Sequence, residues 1–156
     1  MAVKPIPDGY HSVTPYLRIR GAGEAIEFYR RALGAVEKVR MAMPDGRVGH
    51  AELLIGNSMV MLADEFPEMN IRGPQSLGGT SVSFCIYLED ADAAFKRAVD
   101  AGATISRPVQ DQFYGDRSGT VIDPYGHEWT LATHTEDLSP EEMNRRAEAA
   151  FVQSAP

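Results

Sequence analysis

Apolar residues fall into two kinds of pattern along the chain. In "GAGEAIEFYRRALGA" (21–35), Ile26, Tyr29 and Leu33 recur at helical spacing on one face, and Gly34 supplies a C-terminal stop. "EDADAAFKRAVDAGA" (89–103) repeats the design, with Asp90 as N-cap, Phe95 and Val99 on a shared face, and Gly102 as the stop. Both predict amphipathic helices of about three turns. Ahead of each helix lies an apolar, β-prone run, "SVTPYLRI" (12–19) and "TSVSFCIYL" (80–88), and three strand-like pieces follow each one. In the first half these are "VEKVRMAM", "GRVGHAELLI" and "SMVMLAD", separated by the turn residues Pro44-Asp45-Gly46 and Gly56-Asn57. In the second half they are "TISRPVQ", "GTVID" and "HEWTLAT", broken near Tyr114-Gly115-Asp116 and at Pro124-Tyr125-Gly126. Each half therefore reads βαβββ.

Setting "FYRRALGA" (28–35) against "FKRAVDAGA" (95–103) gives an internal repeat at an offset of about 67 to 68. The expected organisation is one domain over 10–138, made of a first module (10–65), a Pro- and Gly-containing linker (66–79) and a second module (80–138). The tail, 139–156, opens with Ser139 and Glu142 in capping-box spacing and Pro140 at the first helical position, which predicts a last helix.

With 156 residues the chain can bury a core without staples, and a formal charge of -7 argues against nucleic-acid or anionic-membrane partners. Apolar runs such as "SMVMLA" (58–63) are too short to span a bilayer, and "MAVKPIPDGYHS" lacks the apolar core of a signal peptide. A cytoplasmic chain is expected. The single Cys85 lies in an apolar run and reads as a small buried hydrophobe. P-loop, Rossmann glycine, CxxC, HExxH and GxSxG motifs do not occur.

The paired βαβββ modules, the helix "AIEFYRRALG" and the "DPYGHEW" before the last strand resemble the vicinal oxygen chelate superfamily of glyoxalases, bleomycin resistance proteins and extradiol dioxygenases. "SVTPYLRI", "GHAELLIGNSMVMLADE" and "DPYGHEWTLATHTEDLSPEEM" look most like its PhnB-like branch. The resemblance implies an α+β fold in which two βαβββ modules curl mixed sheets around a cleft, with a C-terminal helix added, and a homodimer. It also implies a divalent metal on His and Glu side chains, acting as a Lewis acid on substrate oxygens. Here those ligand positions fall on Thr14, Ser83, Thr130 and, within one residue, Val60, none of them a competent ligand. No cofactor is therefore expected. The implied task is binding a small polar or anionic organic molecule, for sequestration or metal-independent chemistry. A metal-dependent lyase, isomerase or dioxygenase with relocated ligands is the alternative, and whether the chain is an enzyme stays open.

Strand alternation places Tyr16 and Arg18 beside Thr14, and Cys85 and Tyr87 beside Ser83. Arg18 matches a position where some glyoxalases hold an arginine that contacts the substrate's carboxylate; it reads either as an anion clamp or as a solvated side chain. "GHAEL" puts His50 and Glu52 on one strand face, as an acid/base pair, as relocated metal ligands, or as a solvated face. Glu128 should share the cleft face of Thr130, Trp129 should be core, and His127 should serve the turn. Phe113 and Tyr114, on a Gly-containing loop, read either as stacking or gating aromatics for a bound molecule or as plain cover for the cleft edge. The expected cleft is thus Thr14, Tyr16, Arg18, Ser83, Tyr87, Tyr114, Glu128 and Thr130.

Overall fold

In the computed structural model, which describes residues 3–153, the chain runs β1 (Tyr16–Ile19), α1 (Ala22–Leu33), β2 (Val36–Ala42), β3 (Val48–Ile55), β4 (Ser58–Asp64), a short α2 (Pro74–Leu77), β5 (Ser83–Tyr87), α3 (Ala91–Asp100), β6 (Thr104–Asp111), β7 (Asp116–Ile122), β8 (Glu128–His134) and α4 (Pro140–Gln153). Both halves are βαβββ. The sheets have the same order, β1-β4-β3-β2 and β5-β8-β7-β6, with the first strand parallel to the last and the rest antiparallel. This is the expected α+β arrangement of two curled mixed sheets with an added C-terminal helix.

Local chemistry sets the element ends. Gly34 ends α1 in the left-handed region (φ 67), which a residue with a Cβ adopts at a cost. The Asp90 side chain caps α3 by accepting from the Ala93 N–H at 2.9 Å, and Ser139 Oγ accepts from the Glu142 N–H at the start of α4. The leading strands are shorter than their apolar runs: β1 starts at Tyr16, after Pro15, whose nitrogen carries no hydrogen to donate, and β5 starts at Ser83. The linker also holds structure the sequence did not suggest, a 3-10 turn at Pro67–Met69 as well as α2.

Leu17, Ile19, Leu53 and Leu62 of the first sheet and Val121, Trp129 and Leu131 of the second share one core with Ile26, Tyr29 and Phe95 of the helices. Helices α1 and α3 pack against each other inside it. Because both helix-bearing faces turn inward, the opposite face of each sheet looks out of the chain. The outer strand pairs of the two halves keep the same parallel register, with Tyr16 opposite Met61 in the first and Cys85 opposite Thr130 in the second. Val60 is buried in the core at 5% exposure, and Met61 takes the ligand position assigned to it, a shift of one residue. Cys85 is exposed on the open face of the second sheet, a correction to the buried reading that follows from its pairing with Thr130.

A candidate acid/base site on the first sheet

On the open face of the first sheet, β1 contributes Tyr16 and Arg18, and β3 contributes His50 and Glu52. Strand β4 lies between them, and Met61 stands opposite both Tyr16 and Glu52. A side chain on β1 must therefore reach across two strand spacings, about 10 Å, to meet one on β3. Tyrosine is long enough. The Tyr16 hydroxyl lies 2.8 Å from His50 Nδ1, and His50 Nε2 lies 3.1 Å from Glu52 Oε1. The Arg18 guanidinium stacks over the Tyr16 ring at 4.2 Å from its centroid.

This chain has a direction. A neutral imidazole donates from one nitrogen and accepts at the other, and a carboxylate only accepts. Glu52 therefore takes the Nε2–H, which leaves the Nδ1 lone pair facing the Tyr16 hydroxyl. The segment preceding β1 lies over this face, where Tyr10, His11, Thr14, Glu52 and Met61 line a cavity of about 480 Å³. The Tyr10 hydroxyl is shielded from solvent beside Glu52 without completing a well-formed hydrogen bond. Burial, and then the neighbouring Glu52, push Tyr10 up to about 12. Glu52 in turn is held below the usual carboxylate range by Tyr10 first and His50 second.

The open face of the second sheet has different chemistry. The hydroxyls of Thr120 and Thr130 are 2.9 Å apart, with Cys85 opposite Thr130. Glu128 pairs with Arg107 at 3.5 Å, and Ser83 is exposed at the start of β5. Tyr87 donates to the buried Asp116 at 2.7 Å, while His134 bonds Asp116 at 2.7 Å and Asp137 at 3.0 Å. Asp116 pushes the Tyr87 hydroxyl up to about 12, and Asp116 followed by Asp137 raises His134 above the ordinary imidazole range. Tyr114 stands at this sheet, on the 112–115 turn, edge-on to Phe113 at 5.2 Å between ring centroids.

The structure thus divides the expected cleft residues in two. Thr14, Tyr16 and Arg18 join His50 and Glu52; Ser83, Tyr87, Tyr114, Glu128 and Thr130 lie with the second sheet. Among the described residues no hydrogen bond or ion pair links the two groups. Trp129 is buried at 2%, and His127, expected to serve the turn, is buried at 7% with its Nε2 unpartnered. Sequence reading missed Tyr10, Asp116 and His134. Their partners are brought in by the folded-back lead segment and by β5–β8–β7 pairing, and no local pattern marks them.

The metal positions implied by the fold carry Thr14, Met61, Ser83 and Thr130, three hydroxyls and a thioether. His50 and Glu52 bond each other, and among the described residues no group of three or more His, Cys, Asp or Glu converges as a metal site. This donor set does not fit a divalent transition metal.

The sequence model of the Glyoxalase/Bleomycin resistance protein/Dioxygenase superfamily matches residues 10–131. An uncharacterised protein of Mycobacterium tuberculosis is 42% identical over 135 residues, spanning 85% of this chain and 79% of its own. TioX from a Micromonospora species superposes with a TM-score of 0.63 at 26% identity, over 80% of this chain and 98% of that one. The PhnB protein of Bacillus cereus has the same fold, with a TM-score of 0.62 at 19% identity over 79% of this chain and 99% of its own.

Proposed function

The chain belongs to the glyoxalase/bleomycin resistance protein/dioxygenase superfamily, and from that footing we propose that it binds a small polar or anionic organic molecule on the open face of its first sheet, without a transition metal. The observation that carries this reading is the Tyr16–His50–Glu52 hydrogen-bond chain with Arg18 stacked beside it. Arg18 supplies a planar, always charged donor set for a carboxylate. The Tyr16 oxygen can take a proton from a bound molecule as its own proton passes to His50 Nδ1, and the reverse passage returns it. That is sufficient for an isomerisation or a lyase step. With a ligand that carries no labile proton, the same groups hold it and the outcome is sequestration.

The reading extends to a homodimer. Val39 and Met41 stand opposite Glu52 and His50 and are 39% and 60% exposed, so a second copy laid over this face would bury apolar surface beside the site.

The test is a thermal-shift survey of small carboxylates and amides on protein purified without chelator, with elemental analysis of the same sample. A carboxylate response lost in Arg18→Ala is expected. A response that survives Arg18→Ala counts against the clamp. Stoichiometric Zn, Ni, Mn or Fe that disappears in Glu52→Ala would overturn the metal-free reading in favour of relocated ligands.

A further inference from the structure

Twelve arginines serve a chain with 22 acidic residues, and ten of them are engaged by a carboxylate or a backbone carbonyl. Arg18 and Arg72 are the exceptions among the described residues. Neither guanidinium makes a hydrogen bond or ion pair, and that of Arg18 has only its stacking on Tyr16. Both line one groove of about 940 Å³ between β1 and the 72–82 connector. The rest of its wall is largely apolar, with Leu77, Val82 and Phe84 prominent.

The groove is built into the fold. Glu65 holds the connector by accepting from the Gly73 N–H at 3.0 Å and the Ser76 hydroxyl at 2.9 Å. At Gly73 the connector lies so close to β1 that a Cβ would come within 2.7 Å of the Arg18 carbonyl oxygen. His127 forms part of the same wall. It is 7% exposed, the Arg18 carbonyl lies near its ring, and yet its Nε2 completes no hydrogen bond. Buried imidazole nitrogens are ordinarily bonded, so a polar group of a molecule in the groove would find a partner in this ring.

We propose that this groove binds an amphipathic organic acid, its carboxylate bridged by Arg18 and Arg72 and its apolar body lying against Leu77, Val82 and Phe84. His127 Nε2 meets a hydroxyl or carbonyl group on that body. The volume is that of a small-molecule site, roughly 300 to 1,000 Å³. Two unpaired guanidiniums offset locally the repulsion that a net charge of -7 exerts on an anion. This rests on the Arg18 clamp described above and names the class of molecule it holds. The acid end sits where Arg18 covers Tyr16, so the atoms next to the carboxylate lie beside the start of the proton chain.

Calorimetric titration of the full chain with octanoate, and with 1-octanol as its uncharged counterpart, tests the proposal. Octanoate is expected to bind once per chain and about tenfold or more tighter than 1-octanol. Arg72→Ala and Val82→Glu should each weaken it by about tenfold or more, and Lys96→Ala, which removes an exposed cation on α3 outside the groove, should leave it within about twofold. Loss in His50→Ala or Tyr16→Phe with no change in Arg72→Ala and Val82→Glu would put the acid on the sheet face, overturning the groove while leaving the proposed function standing. Absence of binding at millimolar octanoate, or equal affinity for the alcohol, also overturns it. So does a groove that takes no octanoate because two copies bury it, seen as a dimer dispersed by Val82→Glu. Should the variants fail to fold, the ring-nitrogen NMR signals of His127 in the native protein must move on adding octanoate; unmoved signals overturn the proposal.

Discussion

Asp123 occupies a turn and is 3% exposed, and it meets four donors: its Oδ1 accepts from the Tyr125 and His127 N–H groups, its Oδ2 from the Tyr29 hydroxyl at 2.7 Å and Trp129 Nε1 at 2.8 Å. Asp123→Ala would strand three buried donors, the Tyr29 hydroxyl, the His127 N–H and Trp129 Nε1, so a loss of about 3 kcal/mol or more in urea unfolding is expected. Glu65 makes the corresponding case for pH. The Gly73 N–H, outweighing the opposing cost of burial, and then Arg20 and Ser76 hold it at about 2 against an ordinary 4.5. Its folded pKa is depressed, so its contribution is complete above 4.5 and is lost as pH falls from 4.5 towards about 2. Glu65→Gln should flatten that acid limb when urea midpoints are plotted against pH. A limb as steep as the native one would place the titration elsewhere.

Elements show what the sequence makes legible. Helices α1 and α3, their caps and the turn glycines follow from local spacing, because i, i+3, i+4 periodicity and αL stops are properties of a few neighbouring residues. Pairing is another matter. Tyr16 meets His50 across 34 positions, and one residue of strand register decides whether Val60 or Met61 faces the site. His50 and Glu52 could be singled out together because they lie two apart on one strand; Tyr10 could not, since it arrives by a fold-back of the chain. Gly119 in β7 is a further element-scale constraint. A Cβ there would stand 2.7 Å from the Phe95 ring of α3 and 2.8 Å from Val109 of β6. Gly119→Ala should therefore push α3 off the sheet and cost about 1 to 3 kcal/mol, read from the thermal midpoint. An unchanged midpoint would show that α3 yields freely.

For the whole molecule, inward-turned helix faces leave the open face of each sheet on the outside, and the two faces differ in chemistry. One carries Tyr16, His50 and Glu52; the other carries Cys85, Thr120 and Thr130. A homodimer that lays one kind of face over the other would combine an acid/base half with a hydroxyl-lined half in each of two equal sites. Sedimentation at micromolar concentration should give a dimer, and Met41→Glu should shift it towards monomer. A monomer in the native protein would remove the second copy from the account. Family resemblance made the architecture legible, but which faces would meet in a pair of copies depends on packing that no single stretch encodes.

The Tyr29–Asp123 bond joins residues 94 apart, one from each module, and Arg97 donates to the Ala32 carbonyl, 65 positions away. The connector between the modules is exposed from Leu77 to Ser83 and carries no such bond from one half to the other along that stretch. The halves are thus held by a shared core as well as by the chain that joins them. A chain cut between Gly78 and Thr80 should therefore keep its two halves together through that core, seen as co-elution of the fragments in size-exclusion chromatography; separate elution would show that the connector is needed.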